Sequence, residues 1–304
     1  MKVFITGGTG FVGTHLMQQL TGQGYRVTLL ARSIRPGRTL PSGAVYLEGD
    51  PTRPGLWQNE VASHEIIVNL AGASIFHRWT EDYKKSLLES RIRTTRNVVA
   101  ALVPRKGQET VLLNASAVGY YGFHEDEELD EETPPGNDFL AVLARDWENE
   151  AKKASEFGVR VVLCRFGIVM GEKGGALDQM VPIFKKGLGA PLGSGEQWFS
   201  WIHQQDLSGA LLFLIDRKEF SGPVNCTSPY PIRNRELTKI LGEVLGKPTF
   251  MPAVPGFMLR IIMGEFGNVL LKGQRVLPKK LLSLGYPFRF PLLKDALMDL
   301  LNKR

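Results

Sequence analysis

With 304 residues, 43% of them hydrophobic, and a formal net charge of +6, the chain has the size and composition of one α/β domain carrying a smaller lobe. No apolar run nears the roughly 20 residues of a membrane span, and Lys and Arg are scattered rather than interleaved with aromatics, so neither membrane nor nucleic acid is an expected partner. Two cysteines distant in sequence, Cys164 and Cys226, no metal-ligand spacing, and a strand-like stretch directly after Met1-Lys2 point to a reduced, cytoplasmic protein without a metal. Residues 3–5 (VFI) are apolar and short, as a buried parallel strand is. Residues 14–21 predict a helix ending near Gly22 and Gly24. Strands follow at 26–31, 45–47 and 66–70, then a long helix at 80–102, a fifth strand at 111–114, a helix at 139–157 and a sixth strand at 160–164. The acidic block 124–132 (HEDEELDEE) reads as a solvated loop or as a flap over a site. Strands alternating with helices predict an α/β protein of the Rossmann type, a doubly wound parallel sheet.

After Arg165 the pattern changes. Gly and Pro crowd residues 167–195, a helix resumes at 205–215, a short strand fits 223–226, and the rest is mostly helical apart from a Pro-rich stretch at 248–255. The expected division is a nucleotide-binding domain of residues 1–165 and 206–228, with a smaller, mostly helical C-terminal lobe of 166–205 and 229–304. In open α/β sheets the ligand crevice lies outside the carboxyl ends of the strands, so the lobe should form its other wall.

The segment Thr6, Gly7, Gly8, Thr9, Gly10, Phe11, Val12, Gly13 places glycines at 7, 10 and 13, after a strand and at the start of a helix. That context makes it a dinucleotide fingerprint. Gly7 permits the tight turn, Gly10 lets the backbone approach a pyrophosphate, and Gly13 lets helix and strand pack closely. The helix N-terminus then meets the phosphates with free N–H groups and its positive dipole end. The second strand ends in Leu30-Ala31-Arg32-Ser33, where an NAD enzyme usually carries an acid for the ribose hydroxyls. Arg32 instead suits a 2′-phosphate, with Ser33 as a further donor and Arg35 and Arg38 nearby. The cofactor expected is therefore NADP(H), with NAD(H) as the alternative. Asp50 either reaches the adenine or starts the turn at Pro51.

These residues resemble the extended short-chain dehydrogenase/reductase superfamily, of the NAD-dependent epimerase/dehydratase type. Residues 68–72 (VNLAG) look like its fourth-strand motif, 114–122 (NASAVGYYG) like its fifth-strand motif, and 193–206 (GSGEQWFSWIHQQD) like its G-x-G and His-x-x-Asp segment. The stretches 71–75, Arg78-Trp79, Ser90-Arg91, Trp147-Glu148, 228–231, 263–265 and 271–278 resemble the "epimerase family protein" branch, which carries a C-terminal extension of unknown function. The resemblance implies that Leu70, Ala71 and Gly72 contact the cofactor. It places Ser116 beside the cofactor as the hydroxyl that orients the substrate oxygen. It makes His203 and Asp206 a structural pair, and implies a homodimer through the helices after the fourth and fifth strands.

The superfamily's chemistry pairs that hydroxyl with a Tyr-x-x-x-Lys on the next helix, the Lys lowering the Tyr pKa. Here the Tyr position falls near Leu140 and the Lys position near Ala144. Three readings follow. Tyr120 or Tyr121 supplies the acid, with Arg145 nearby, or both tyrosines simply pack. Asp178 or Glu196 of the lobe replaces it. Or the cofactor is bound without turnover. Cations for a substrate diphosphate are sought in Arg165, Arg233 and Arg275. His77, Arg78 and Trp201 are the substrate-binding candidates, with Trp79, Trp198 and Phe199 as further pocket aromatics. The expected function is an NADP(H)-binding oxidoreductase or epimerase acting on a small carbonyl or sugar-like substrate. A non-catalytic NADP(H)-dependent regulatory or interaction protein is the second reading, and a nucleotide-sugar epimerase the third.

Overall fold

A computed structural model describes residues 1–34 and 39–301. Seven parallel strands form one sheet: β1 (Lys2–Thr6), β2 (Arg26–Ala31), β3 (Ala44–Glu48), β4 (Ile66–Asn69), β5 (Val111–Ala117), β6 (Arg160–Phe166) and β7 (Gly222–Cys226). Their order is β3-β2-β1-β4-β5-β6-β7, with every neighbouring pair parallel. The order reverses between β1 and β4, the switch point where such sheets open a crevice.

Side chains alternate across the strands. Val3, Ile5, Val27 and Leu29 face α1 (Phe11–Gly22) and the returning helix at 204–216 through Leu16, Leu20, Leu207 and Leu211. Phe4, Leu30, Ile67, Leu112 and Leu163 face the opposite layer, where α2 (Glu81–Ala101) and α3 (Phe139–Lys152) bring Val98, Val99 and Ala151. Thr80 and Asp138 cap α2 and α3, the Asp138 carboxylate accepting from Leu140 N and Ala141 N at 2.9 and 3.1 Å. The helix expected at 139–157 tightens into a 3₁₀ turn at Lys153–Phe157, ended by Gly158 in the left-handed region.

A second core lies outside the sheet. Met170, Leu177, Val181, Phe184 and Trp201 pack on Leu237, Leu241 and Leu297, joining α4 (Gly175–Lys185), α6 (Asn234–Leu245) and α8 (Leu293–Leu301) to two small sheets, while α5 (Gln204–Asp216) belongs to the main core and α7 (Gly256–Met263) reaches a smaller cluster around Trp79 and Phe266 through Met263. In those sheets Trp201–His203 runs parallel to Ile168–Met170, and Trp198–Phe199 antiparallel to Ile232–Arg233. The tail does not stay in the lobe: Leu281 is fully buried in the main core.

The acidic block is a solvated loop only in part: residues 125–128 are exposed, whereas Leu129 and Glu131 are buried. Glu128–Leu129 pairs with Arg275–Val276 as a short parallel ladder. Asp130 and Glu132 meet Lys279 and Lys280 at 2.6 and 2.9 Å, and the buried Glu131 carboxylate accepts from Asn225 N and Lys280 N. Basic tail and acidic strip thus hold each other. Cys164 and Cys226 are buried and free. Among the described residues no helix is long and apolar enough to cross a membrane.

Candidate active site

A cleft of about 780 Å³ runs along the carboxyl ends of the strands, within the range of small-molecule and cofactor sites. Its inner wall is the glycine loop. Gly7 sits at φ 69°. A Cβ on Gly13 would lie 2.5 Å from Gly7 O and 2.6 Å from Gly8 Cα, so only glycine lets α1 come this close. Gly10 caps α1 without a side-chain acceptor, which leaves the first N–H groups of the helix open toward the cleft. Gly7, Thr9, Gly10, Phe11, Val12 and Gly13 all line it, as do Arg32 and Asp50 at the ends of β2 and β3, and Leu70, Ala71 and Gly72 after β4. This cradle fits a dinucleotide: an uncapped helix start for a pyrophosphate and an exposed guanidinium one strand away.

Thr6 and Gly8 do not line the cleft; they build the loop from behind. Thr6 is fully buried and donates to Asn69 Oδ1 at 2.6 Å, and a Cβ on Gly8 would strike Leu29. Ser33 is exposed and outside the lining. Arg35 and Arg38 lie outside the described residues. Asp50 lines the cleft and starts the turn at Pro51, its carboxylate accepting from Thr52 N and Oγ1 at 2.9 and 2.7 Å.

Ser116 lines the cleft at the end of β5, and its hydroxyl is committed. Oγ donates to Glu148 Oε1 at 2.7 Å. Glu148, fully buried on α3, forms a bidentate pair with Arg165, Nε to Oε1 at 2.8 Å and Nη2 to Oε2 at 2.9 Å. The second Arg165 terminal nitrogen donates to Tyr121 Oη at 2.9 Å, and Tyr121 donates to Asn225 Oδ1 at 2.7 Å. Burial works against the Arg165 charge, but Glu148 and Tyr121 more than offset it and hold the guanidinium's pKa above its ordinary value. Leu140 and Ala144, at the positions of the absent Tyr and Lys, line the cleft one helical turn apart and offer it no side-chain proton.

Several expected site residues sit elsewhere. Tyr121 is fully buried, and burial raises its hydroxyl far above the ordinary phenol, only partly countered by Arg165, so it is no base at neutral pH. Tyr120 is outside the lining, its ring 3.5 Å beneath the Arg165 guanidinium. Both tyrosines pack. Arg145 is an exposed partner of Asp146, Asp178 is exposed and off the cleft, and Glu196 pairs with Arg235. His77 meets Tyr83 edge-to-face, ring centroids 5.2 Å apart, outside the cleft, and Arg78 donates to Ile261 O of α7; Ile75 and Phe76 take the wall positions instead. Trp201 is fully buried in the lobe core and donates to Tyr230 O, while Trp198 faces the cleft. Arg233 and Arg275 flank Trp198 at 4.3 and 4.9 Å and pair with Asp126 and Glu128, and Arg165 is spent on Glu148. Among the described residues, the cations that reach the cleft besides Arg32 are Arg91 and Lys272. His203 Nδ1 caps α5 by accepting from Gln205 N, and the Asp206 carboxylate accepts from Arg289 N and Phe290 N, a structural pair.

Strand order, glycine cradle and cleft define a Rossmann-type protein of the doubly wound class. The model of the NAD dependent epimerase/dehydratase family matches residues 3–226, and a domain of unknown function (DUF1731) matches residues 254–300; the chain belongs to that epimerase/dehydratase family. It is 41% identical to the epimerase family protein SDR39U1 homolog, chloroplastic, of Arabidopsis thaliana, covering 99% of this chain and 87% of that one. It is 37% identical to the epimerase family protein YfhF of Bacillus subtilis, covering 100% and 99%. Among solved structures it is similar to the human epimerase family protein SDR39U1 (isoform 2) with NADPH, at TM-score 0.86 and 33% identity over 100% of both chains. It is also similar to a nucleoside-diphosphate sugar epimerase from Corynebacterium glutamicum, at TM-score 0.78 and 30% identity over 100% of this chain and 59% of that one.

Proposed function

We propose that the protein binds NADP(H) and acts as an oxidoreductase or epimerase on a small carbonyl or sugar-like substrate. The observation that carries this reading is the continuity of one cleft from the uncapped start of α1 and Arg32 to Ser116; the human relative solved with NADPH supports the cofactor. The α1 N-terminus would hold the pyrophosphate, Arg32 the 2′-phosphate, and the residues after β4 the body of the cofactor. When bound, the cofactor supplies hydride exchange at its nicotinamide ring. The chain supplies the proton path. Because Ser116 donates to Glu148, its oxygen is left to accept from a substrate hydroxyl. The substrate proton can move to Ser116 Oγ as the Ser116 proton moves to Glu148, whose charge Arg165 balances.

Binding of NADPH and NADH to purified protein, with Arg32→Ala alongside, tests the cofactor. A preference for NADPH of about tenfold or more, roughly 1.4 kcal/mol, is expected and should collapse in the variant. Equal binding of the two nucleotides would sink the assignment. The apolar side chains at 140 and 144 favour a second reading, an NADP(H)-binding protein without turnover. NADPH oxidation over a panel of carbonyl compounds separates the two. An enzyme loses about 100-fold or more of its rate in Ser116→Ala, whereas a non-catalytic binder shows no specific turnover in either protein.

A further inference from the structure

Arg91, on α2, has its guanidinium on the wall of the cleft, and among the described residues no carboxylate stands beside it. One terminal nitrogen donates to Leu87 O at 3.0 Å, the other to Ala73 O at 3.1 Å, and the plane lies 5.2 Å from the Trp147 ring. A guanidinium carries five N–H donors, so two carbonyls leave donors over. Burial pushes its pKa down to about 10, with only the Tyr83 hydroxyl acting in the other direction. The side chain is still charged at neutral pH and its charge is poorly compensated, which is costly in a partly dry cleft.

Its place in the cleft says what it serves. The Arg91 guanidinium packs against Gly72 at the end of β4; a Cβ there would lie 3.0 Å from its carbon. Arg32 stands at the end of β2, and β1 with the glycine loop separates β2 from β4. The two arginines therefore flank the cradle from opposite sides. Arg91 stands on the Ser116 side: Trp147, beneath it, is one helical turn past Ala144, the position of the absent Lys. Ile75, Phe76, Leu143 and Trp147 give the cleft apolar walls on this side, with Ser74, Ser90 and Thr94 as uncharged polar neighbours. Among the described residues the acids that line the cleft, Asp50 and Asp138, are already engaged by Thr52 and by the first N–H groups of α3.

We propose that Arg91 receives an anionic group of the substrate, a carboxylate or a phosphate ester, so that the substrates are small carbonyl compounds with an apolar body and one anionic end. This deepens the reading above and rests on it for the chemistry, though not for the binding. A planar fork presented from an apolar wall matches an oxyanion, and the arriving charge relieves a cation that the fold leaves unpaired.

The test is calorimetric titration with benzoate, phenyl phosphate and neutral benzamide, on the protein saturated with NADPH and again without it. At least one of the anions is expected to bind about tenfold or more tightly than benzamide, and which anion does so identifies the group. Arg91→Met should erase that preference, while Arg91→Lys, which keeps the charge but not the fork, should keep part of it. NADPH affinity should stay within about twofold in both variants, which also shows that they are folded. Equal binding of all three probes, or a preference that survives Arg91→Met, overturns the proposal. So does a tenfold loss of NADPH affinity in Arg91→Met with the protein still folded, because Arg91 would then serve the cofactor. An anion preference in a protein that binds no NADPH would keep the anion site and remove the cofactor reading alone.

Discussion

Glu148→Gln is expected to destabilise the fold by about 3–5 kcal/mol, the cost of stripping one partner from a buried ion pair, and to lower the melting temperature by roughly 10 °C. The side chains of Glu148 and Arg165 are 0% and 3% exposed. An amide in place of the carboxylate leaves the guanidinium charged in a place water barely reaches, and Ser116 loses its charged acceptor. The double variant Glu148→Leu with Arg165→Met removes both charges and should recover most of the lost stability, since a buried pair is often no better than its apolar replacement. If turnover follows the proposed proton path, the double variant should not recover it, because the Ser116 hydroxyl would have nothing to pass its proton to. Thermal melts and NADPH-dependent rates on the three proteins check both halves. A single variant as stable as the parent would mean that the pair does not hold the strand ends together.

Gly13→Ala should cost NADPH binding about 100-fold, near 2.7 kcal/mol. The added carbon would lie 2.5 Å from Gly7 O and 2.6 Å from Gly8 Cα. Both are backbone atoms of the loop that cradles the nucleotide, so α1 or the loop must shift by on the order of 1 Å, with a stability cost of about 1–3 kcal/mol typical of overpacking. Gly22→Ala is the control within the same helix. There a Cβ meets nothing within 4 Å, and stability should hold or rise by up to about 1 kcal/mol. Fluorescence titration with NADPH decides it: comparable affinity in the two variants would show that the glycine at 13 is not needed for close approach.

Local rules made the cradle legible. Gly7, Gly10 and Gly13 are set by contacts within a single strand–turn–helix unit, and the sheet followed from short apolar runs spaced by helices. Glu148 was hidden because its meaning is tertiary. A glutamate in a helix reads as solvent-facing until β6 brings Arg165 against it, although its position seven residues after the buried Ala141, on the same helical face, was an available signal. The pocket aromatics went astray for a simpler reason. Chain near residue 200 is extended, so alternate residues face opposite ways: Trp198 and Ser200 line the cleft, Phe199 and Trp201 the lobe core. Applying that period of two would have exchanged Trp201 for Trp198. His77 was placed by its closeness to β4 in sequence, but Ile75 and Phe76 occupy the wall before the chain reaches it. The acidic block looked solvated because its partners, Arg275, Lys279 and Lys280, lie near the far end of the chain.

That late partnership bears on the order in which a nascent chain can acquire its parts. The glycine loop precedes nearly all of the sheet in the sequence, whereas Val269, Lys272, Gly273 and Gln274, which close the cleft across from it, come from a far later segment that docks on the acidic strip. During translation, when domains fold as units from the N-terminal side, the surface that reads the nucleotide can form early. The surface that selects what meets it waits for the tail. A chain stalled between the two would therefore present the nucleotide cradle as an open trough, without the far wall that Val269, Lys272, Gly273 and Gln274 supply.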